Sequence, residues 1–243
     1  MTETAQEAGR MPLYYGSLVP LMRAAHRDVA FHAETADYRF AAASNGIPIT
    51  LDEIAIAQAH YPIVFSAGEM PIPYLLAGGP GEGNRFIDAE GNWRRDTYIP
   101  AYVRRYPFFL AKLESLSDQL TLCFDPAAAS IRHEAGGGNL FAGDGPSDTG
   151  KAVLQFCEQF ELSAQKTQGA MAELVRLGLL IDGEAKIRRG EGEPAVFRGF
   201  QIVAEDKLHR LPGADFAVLV KCGAMALIYA HLFSLRHVAQ FVS

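Results

Sequence analysis

Between Trp93 and Phe108 the chain interleaves aromatic rings with guanidinium groups: Trp93, Tyr98, Tyr102 and Tyr106 alternate with Arg94, Arg95, Arg104 and Arg105. Those residue types suit the clamping of an anion, a sugar or a peptide end. A guanidinium fork pairs bidentately with a carboxylate or phosphate, and a Trp or Tyr face supplies stacking area. Trp93, Tyr98, Tyr102, Arg104, Arg105 and Tyr106 therefore form the candidate ligand-binding set. The competing reading makes the rings core and the arginines surface. Because neighbours on a short helix point about 100° apart, only one of Arg104 and Arg105 is expected to face a ligand.

Other chemistries fail on their own requirements. The glycine stretch Gly78-Gly-Pro-Gly-Glu-Gly83 is followed by Asn84 and Arg85, where a phosphate loop needs Lys and Ser or Thr; Phe86 takes the last glycine position of a dinucleotide fingerprint. A solvent-exposed turn is expected there. His133-Glu134 lacks the second histidine one turn on that a helical zinc motif requires, and glycines follow it. His26/His32 and His231/His237 are six apart, a spacing that does not put two rings on one helical face. His231, among Tyr229, Leu232 and Phe233, reads as a hydrogen-bonded core or interface histidine. No Gly-x-Ser-x-Gly elbow occurs, and the carboxylates of Asp88, Glu90 and Asp96 cluster only around a turn in sequence. The sequence thus identifies no catalytic residue, no metal ligands and no cofactor, while an enzyme whose site is assembled from dispersed residues stays open.

Charge and composition narrow the partners. The net charge is −6, from 28 acidic and 22 basic residues, and the basic groups at Arg94-Arg95, Arg104-Arg105 and Lys186-Ile-Arg-Arg189 are short. Nucleic acid, which needs a concentrated basic face, is not an expected partner. Cys123, Cys157 and Cys222 are far apart, each in an apolar run, which fits buried thiols in a reducing compartment. The polar start, Met1 to Arg10, lacks the basic and apolar regions of a secretory signal, so a cytoplasmic location is expected. Cys222–Leu235 is apolar for only 14 residues and contains His231, which fits a helix buried in the domain or at a subunit interface rather than in lipid. No membrane insertion is expected, and homo-oligomerisation is left open.

The elements that must position these groups read as an α+β protein, with a strand-rich, mainly antiparallel N-terminal half and a helical C-terminal half packed on the sheet. Asp37–Ala42 reads as a strand. Thr50 and Glu53 form a capping box that starts a helix over about 51–60. Tyr61–Phe65 and Ile72–Leu76 read as a hairpin whose prolines favour edge positions. Pro100 starts a short helix before strands at Tyr106–Leu110 and Gln119–Phe124. Asp125 to Pro146, with Gly136-Gly-Gly138, is the best candidate for a long connection. Ser147 to Leu180 is a long helix, broken near Gly169 and stopped at Gly178. Phe197–Val203 reads as a late strand, and Ala214–Phe241 as helices interrupted at Gly223. With 49% hydrophobic residues over 243, the chain is read as a disordered tail, 1–13, and one domain, 14–243.

Four ordered segments carry a family resemblance: Leu18-Val-Pro-Leu21 with His26-Arg27, Tyr61-Pro-Ile-Val-Phe65, Tyr98-Ile-Pro-Ala-Tyr-Val-Arg-Arg-Tyr-Pro-Phe108, and Ala226-Leu-Ile-Tyr-Ala-His-Leu-Phe-Ser-Leu235. Together they resemble the landmarks of the bacterial SapC family over about residues 14 to 241. That family is named for a protein associated with a paracrystalline surface layer, and many members look like products of gene neighbourhoods with TonB-dependent receptors and halogenase-like flavoproteins. The resemblance implies an accessory protein of an envelope or nutrient-uptake system, with an envelope-uptake or gene-neighbour protein as partner and a small anionic or sugar-like ligand. It supplies no catalytic residue. The alternative is an enzyme modifying a peptide or carbohydrate in the same pathway. Residues 125–146 and 183–194 match none of the landmarks.

Overall fold

The structure is a computed structural model that describes residues 11–33, 37–79, 81–112, 120–133, 138–187 and 195–241. Most of the tail, Glu134 to Gly137, and the Arg188-Arg189 pair lie outside the described residues. The strands in chain order are β1 (Val19–Pro20), β2 (Val29–Phe31), β3 (Gly46–Pro48), β4 (Ile63–Ser66), β5 (Pro73–Leu76), β6 (Phe108–Lys112) and β7 (Leu120–Phe124). They continue as β8 (Ile131–His133), β9 (Phe141–Ala142), β10 (Gly145–Pro146), β11 (Leu180–Asp182), β12 (Ala185–Ile187), β13 (Ala195–Phe197) and β14 (Phe200–Val203). The helices are α1 (Arg23–His26), α2 (Ile54–Ala57), α3 (Ala101–Arg104), α4 (Asp148–Arg176), α5 (Glu205–Leu208), α6 (Gly213–Lys221) and α7 (Ala224–Ser234). All strand pairing is antiparallel and the long helices fall in the C-terminal half, so the fold is α+β.

The chain gathers into two compact units. The first comprises residues up to Ala41, Ala89–Asn92 and Val103–Leu162. Its three-stranded sheet has the order β1-β7-β6, formed in part by the two apolar runs read as strands, with Phe108 opposite Phe124 and Leu110 opposite Leu122. The stretch read as a connection holds three strands: β8, which pairs with β2, and β9 and β10, which pair with each other. Val29, Phe108, Leu110, Phe124, Ile131, Leu140 and Cys157 make its core. Asp37–Ala42 is not a strand: Arg39–Ala41 is a 3₁₀ turn, because the Asp37 carboxylate accepts from the Arg39 backbone N–H at 3.0 Å and from its guanidinium, which closes the chain locally.

The second unit, Ala42–Asp88, Trp93–Tyr102 and Ser163–Ser243, holds a five-stranded sheet in the order β11-β14-β4-β5-β3. The hairpin β4-β5 forms, but it occupies interior positions, not an edge. Pro73 can sit there because it opens its strand, and its carbonyl still accepts from the Ile49 N–H at 3.0 Å. The capping box also forms, giving a 3₁₀ turn over Leu51–Glu53 that runs into α2. Side chains of α4 complete it: Thr167 Oγ1 accepts from the Leu51 N–H at 2.9 Å, and Ser163 Oγ from the Asp52 N–H at 3.4 Å.

Helix α4 runs unbroken through Gly169. One glycine costs about 1 kcal/mol in a helix interior, which 29 residues of otherwise helical sequence absorb. Its end is a Schellman motif: Gly178 is left-handed at φ +62°, the Leu179 N–H reaches the Leu174 carbonyl, and the Gly178 N–H reaches that of Val175, both at 3.0 Å.

Helices α6 and α7 are separated at Gly223, whose φ of +81° lets the chain turn between them. Burial of α7 is one-sided. Leu227, Ile228, Ala230 and His231 are inside, whereas Tyr229 and Phe233 are exposed. The buried side meets the sheet through two polar groups. The register that pairs Phe200 with Ser66 and Gln201 with Phe65 would, two residues on, set Val203 opposite Ile63. There the His231 ring takes both backbone groups: Nε2 accepts from the Val203 N–H at 3.2 Å and Nδ1 donates to the Ile63 carbonyl at 2.7 Å. Ser234 Oγ, one turn on, accepts from the Ile63 N–H at 2.8 Å. This arrangement requires the neutral Nδ1–H tautomer, and burial pushes the ring's pKa down to about 4. His231 is the hydrogen-bonded core histidine that the sequence suggests.

Candidate functional site

The six sequence candidates fall into two sets of three: Trp93, Tyr98 and Tyr102 belong to the second unit, and Arg104, Arg105 and Tyr106 to the first. In the second unit the rings turn inward. Trp93 is 6% exposed and Tyr102 8%, so their faces pack against protein. Trp93 Nε1–H donates to the Tyr61 hydroxyl at 3.1 Å, and that hydroxyl donates to the Tyr98 carbonyl. Burial pushes the Tyr61 phenol up to about 12, so it stays protonated.

The Tyr98 hydroxyl donates at 3.0 Å to Glu53, a buried carboxylate that also accepts from the N–H of Ala101 at 2.8 Å and from the N–H of Thr50 at 3.0 Å. Glu53 thereby serves two helical starts, its own 3₁₀ turn and the first N–H of α3, which has no partner inside its own helix. A carboxylate that accepts from this many donors is a fixed structural acceptor. The capping box makes Glu53 visible in the sequence, but its second duty depends on a residue 48 positions away.

In the first unit the two arginines diverge. Arg105 is 5% exposed, with its guanidinium carbon 4.3 Å from the centroids of both Phe109 and Phe160 and Nη1 3.3 Å from Glu161 Oε1. Burial raises the Glu161 carboxyl above the usual range, against the pull of Arg105. The Cys157 thiol, one helical turn earlier on α4, is pushed up to about 12 by burial, which leaves it a poor nucleophile.

Arg104, in contrast, is exposed, with its guanidinium 5.2 Å above the Phe156 ring. Its charge reaches Tyr38. Tyr38 and Tyr106 both flank Phe40, the Tyr106 ring stacking on it at 4.1 Å and the Tyr38 ring lying at 6.3 Å. Burial raises both phenols, Tyr106 to about 12 with a further push from Asp125, so both keep their protons at neutral pH. The corner therefore offers one cation, two half-buried phenols and an aromatic wall. It is equipped to hold an anion and to donate hydrogen bonds, not to remove a proton. Of the sequence candidates, Arg104 and Tyr106 lie at this corner. Tyr38 and Phe40, in the stretch expected to be a strand, join them there with Phe156, whose helical spacing with Phe160 on α4 is the local signal for it.

A concave feature of about 380 Å³, open to solvent, lies elsewhere, lined by Ala67, Asp182, Gly183, Glu184, Arg198, Gly199 and Phe200 in the second unit. Its cation is engaged, since Arg198 donates from Nε at 2.9 Å and from Nη2 at 2.6 Å to one oxygen of Glu184. Among the described residues no group of three or more His, Cys, Asp and Glu side chains is placed to hold a metal ion.

The SapC family profile matches residues 21–241, nearly the whole chain. The chain belongs to the SapC family. Three of the four segments quoted above contain buried groups just described: Tyr61, Arg105 between its rings, and His231 between β4 and β14. No curated protein and no solved structure matches the chain.

Proposed function

We propose that this SapC-family chain is a non-enzymatic accessory protein of a bacterial surface-layer or TonB-dependent outer-membrane uptake system, acting from the cytoplasm and binding a small anionic or sugar-like ligand or an acidic partner peptide. Within the first unit, Arg104 is the anion-holding group and Tyr38 and Tyr106 are the hydrogen-bond donors. The observation that carries this reading is the exposed Arg104 guanidinium seated on Phe156, with its charge reaching a phenol that keeps its proton. A cation held against a ring is partly pre-oriented, so less freedom is lost when it meets a carboxylate. The chemistry of the corner favours binding over turnover, because its phenols ionise too high to act as bases at neutral pH.

The test has two arms. Pull-down from native cells should recover an envelope or gene-neighbour protein with the wild-type chain and less of it with Arg104→Ala. A thermal-shift screen of uronic acids and acidic peptides should find a stabilising compound whose effect Arg104→Ala removes. Turnover of a metabolite, with no envelope partner recovered, would overturn the proposal.

A further inference from the structure

Helices α6 and α7 each expose apolar side chains that the core does not use. Phe216 and Val220 stand one turn apart on α6, and Tyr229 and Phe233 one turn apart on α7 with their rings stacked at 5.9 Å. Val220 is 55% exposed and Phe233 61%, values that would leave a costly apolar surface in water. The charges of the same stretch are as selective. From Gly213 to Phe241 the charged residues are Asp215, Lys221 and Arg236, and the Asp215 carboxylate is held by Arg176 at 3.1 Å. The two remaining charges, both exposed, are cations: Lys221 ends α6 and Arg236 follows α7. An apolar face edged by cations thus belongs to a chain whose net charge is −6.

We infer that this face docks on an anionic phospholipid surface, with the aromatic and valine side chains at the acyl boundary and Lys221 and Arg236 among the headgroups. An amphipathic element of this kind gains from apolar burial and from attraction to anionic lipid together. It is placed on the surface: no single helix among the described residues is long and apolar enough to span, and α6 and the α7 segment, which reach that length and apolarity only together, are bent by 87°. A second copy is a poorer occupant. A two-fold contact through this face would bring its cations together with no carboxylate of the face left to meet them. The inference rests on α6 and α7 alone and is independent of the anion corner at Arg104.

Flotation of the full chain with vesicles tests it. The wild-type chain should float with mixed phosphatidylglycerol and phosphatidylcholine vesicles. It should bind at least about tenfold less to phosphatidylcholine alone or in high salt. Lys221→Gln and Arg236→Gln should each weaken binding about fivefold. The double variant Val220→Ser, Phe233→Ser should abolish it while the far-ultraviolet circular dichroism stays unchanged. Equal retention on neutral and anionic vesicles, or none on either, overturns the inference. So does a lipid-free dimer in sedimentation velocity that the same double variant dissolves, which would assign the face to a second copy.

Discussion

Arg104 and Arg105 are neighbours in the chain, yet Arg105 is sealed between Phe109 and Phe160 while Arg104 stands exposed over Phe156. Lysine keeps charge but loses the planar fork, so the two positions should respond differently. Arg105→Lys is expected to cost about 1–2 kcal/mol of stability. Arg104→Lys should stay within about 0.5 kcal/mol of wild type while weakening any ligand that needs a bidentate partner. Urea unfolding of both variants separates the roles.

Acid should weaken the fold through His231. Its folded pKa is lowered to about 4, against an ordinary value of 6.5 that the unfolded chain regains. Stability from this group is fully present above pH 6.5 and is lost as pH falls towards 4, because the unfolded state takes the proton first. Between pH 7 and pH 5 the loss should be about 2 kcal/mol. Urea midpoints at the two pH values measure it. A His231→Asn variant should be less stable at pH 7 and should lose this part of the slope.

The Glu53 hub predicts unequal costs. Tyr98→Phe removes one of several donors and should cost about 1 kcal/mol. Glu53→Ala strands the buried N–H groups of Thr50 and Ala101 and should cost about 2–4 kcal/mol. Thermal unfolding of the two variants side by side is the check.

On α7, Leu227 is fully buried and Leu232 only half-buried. Leu227→Ala should cost about 2–5 kcal/mol and Leu232→Ala clearly less. Comparable losses in urea unfolding would mean that the outer side of α7 is covered in solution.

Thiol labelling should be selective. Cys123 and Cys157 are buried, with burial raising both thiols, whereas Cys222 is partly accessible. Native protein should therefore label first at Cys222, and the other two should react only on unfolding.

Much of the fold was legible because its signals are local. The Thr50–Glu53 box, Pro100 before α3, Gly178 after α4 and Gly223 before α7 each act within a few residues, and each is where the sequence puts it. Failures arose where a distant or sideways partner decides. Asp37 folds the chain back onto Arg39, which alternation of apolar residues cannot reveal. The β4-β5 hairpin was readable, but not its place inside a sheet completed by β14 and β3. At the candidate site, Arg104 and Tyr106 stand out in the sequence by residue type alone. That Arg105 would be consumed by Glu161 is not legible there, since the two are 56 residues apart.

The imidazole between Val203 and Ile63 also has a consequence for biosynthesis. Ile63 is made 168 residues before His231, so for most of translation its carbonyl has neither a strand nor a ring to meet it. Closure of the sheet at this point waits for the C-terminal helix, a contact of very high sequence separation and hence of slow formation. Nascent chains stalled before Ala224 should present β4 and β14 splayed at that end, and a separately supplied peptide carrying α7 is the piece that would complete them.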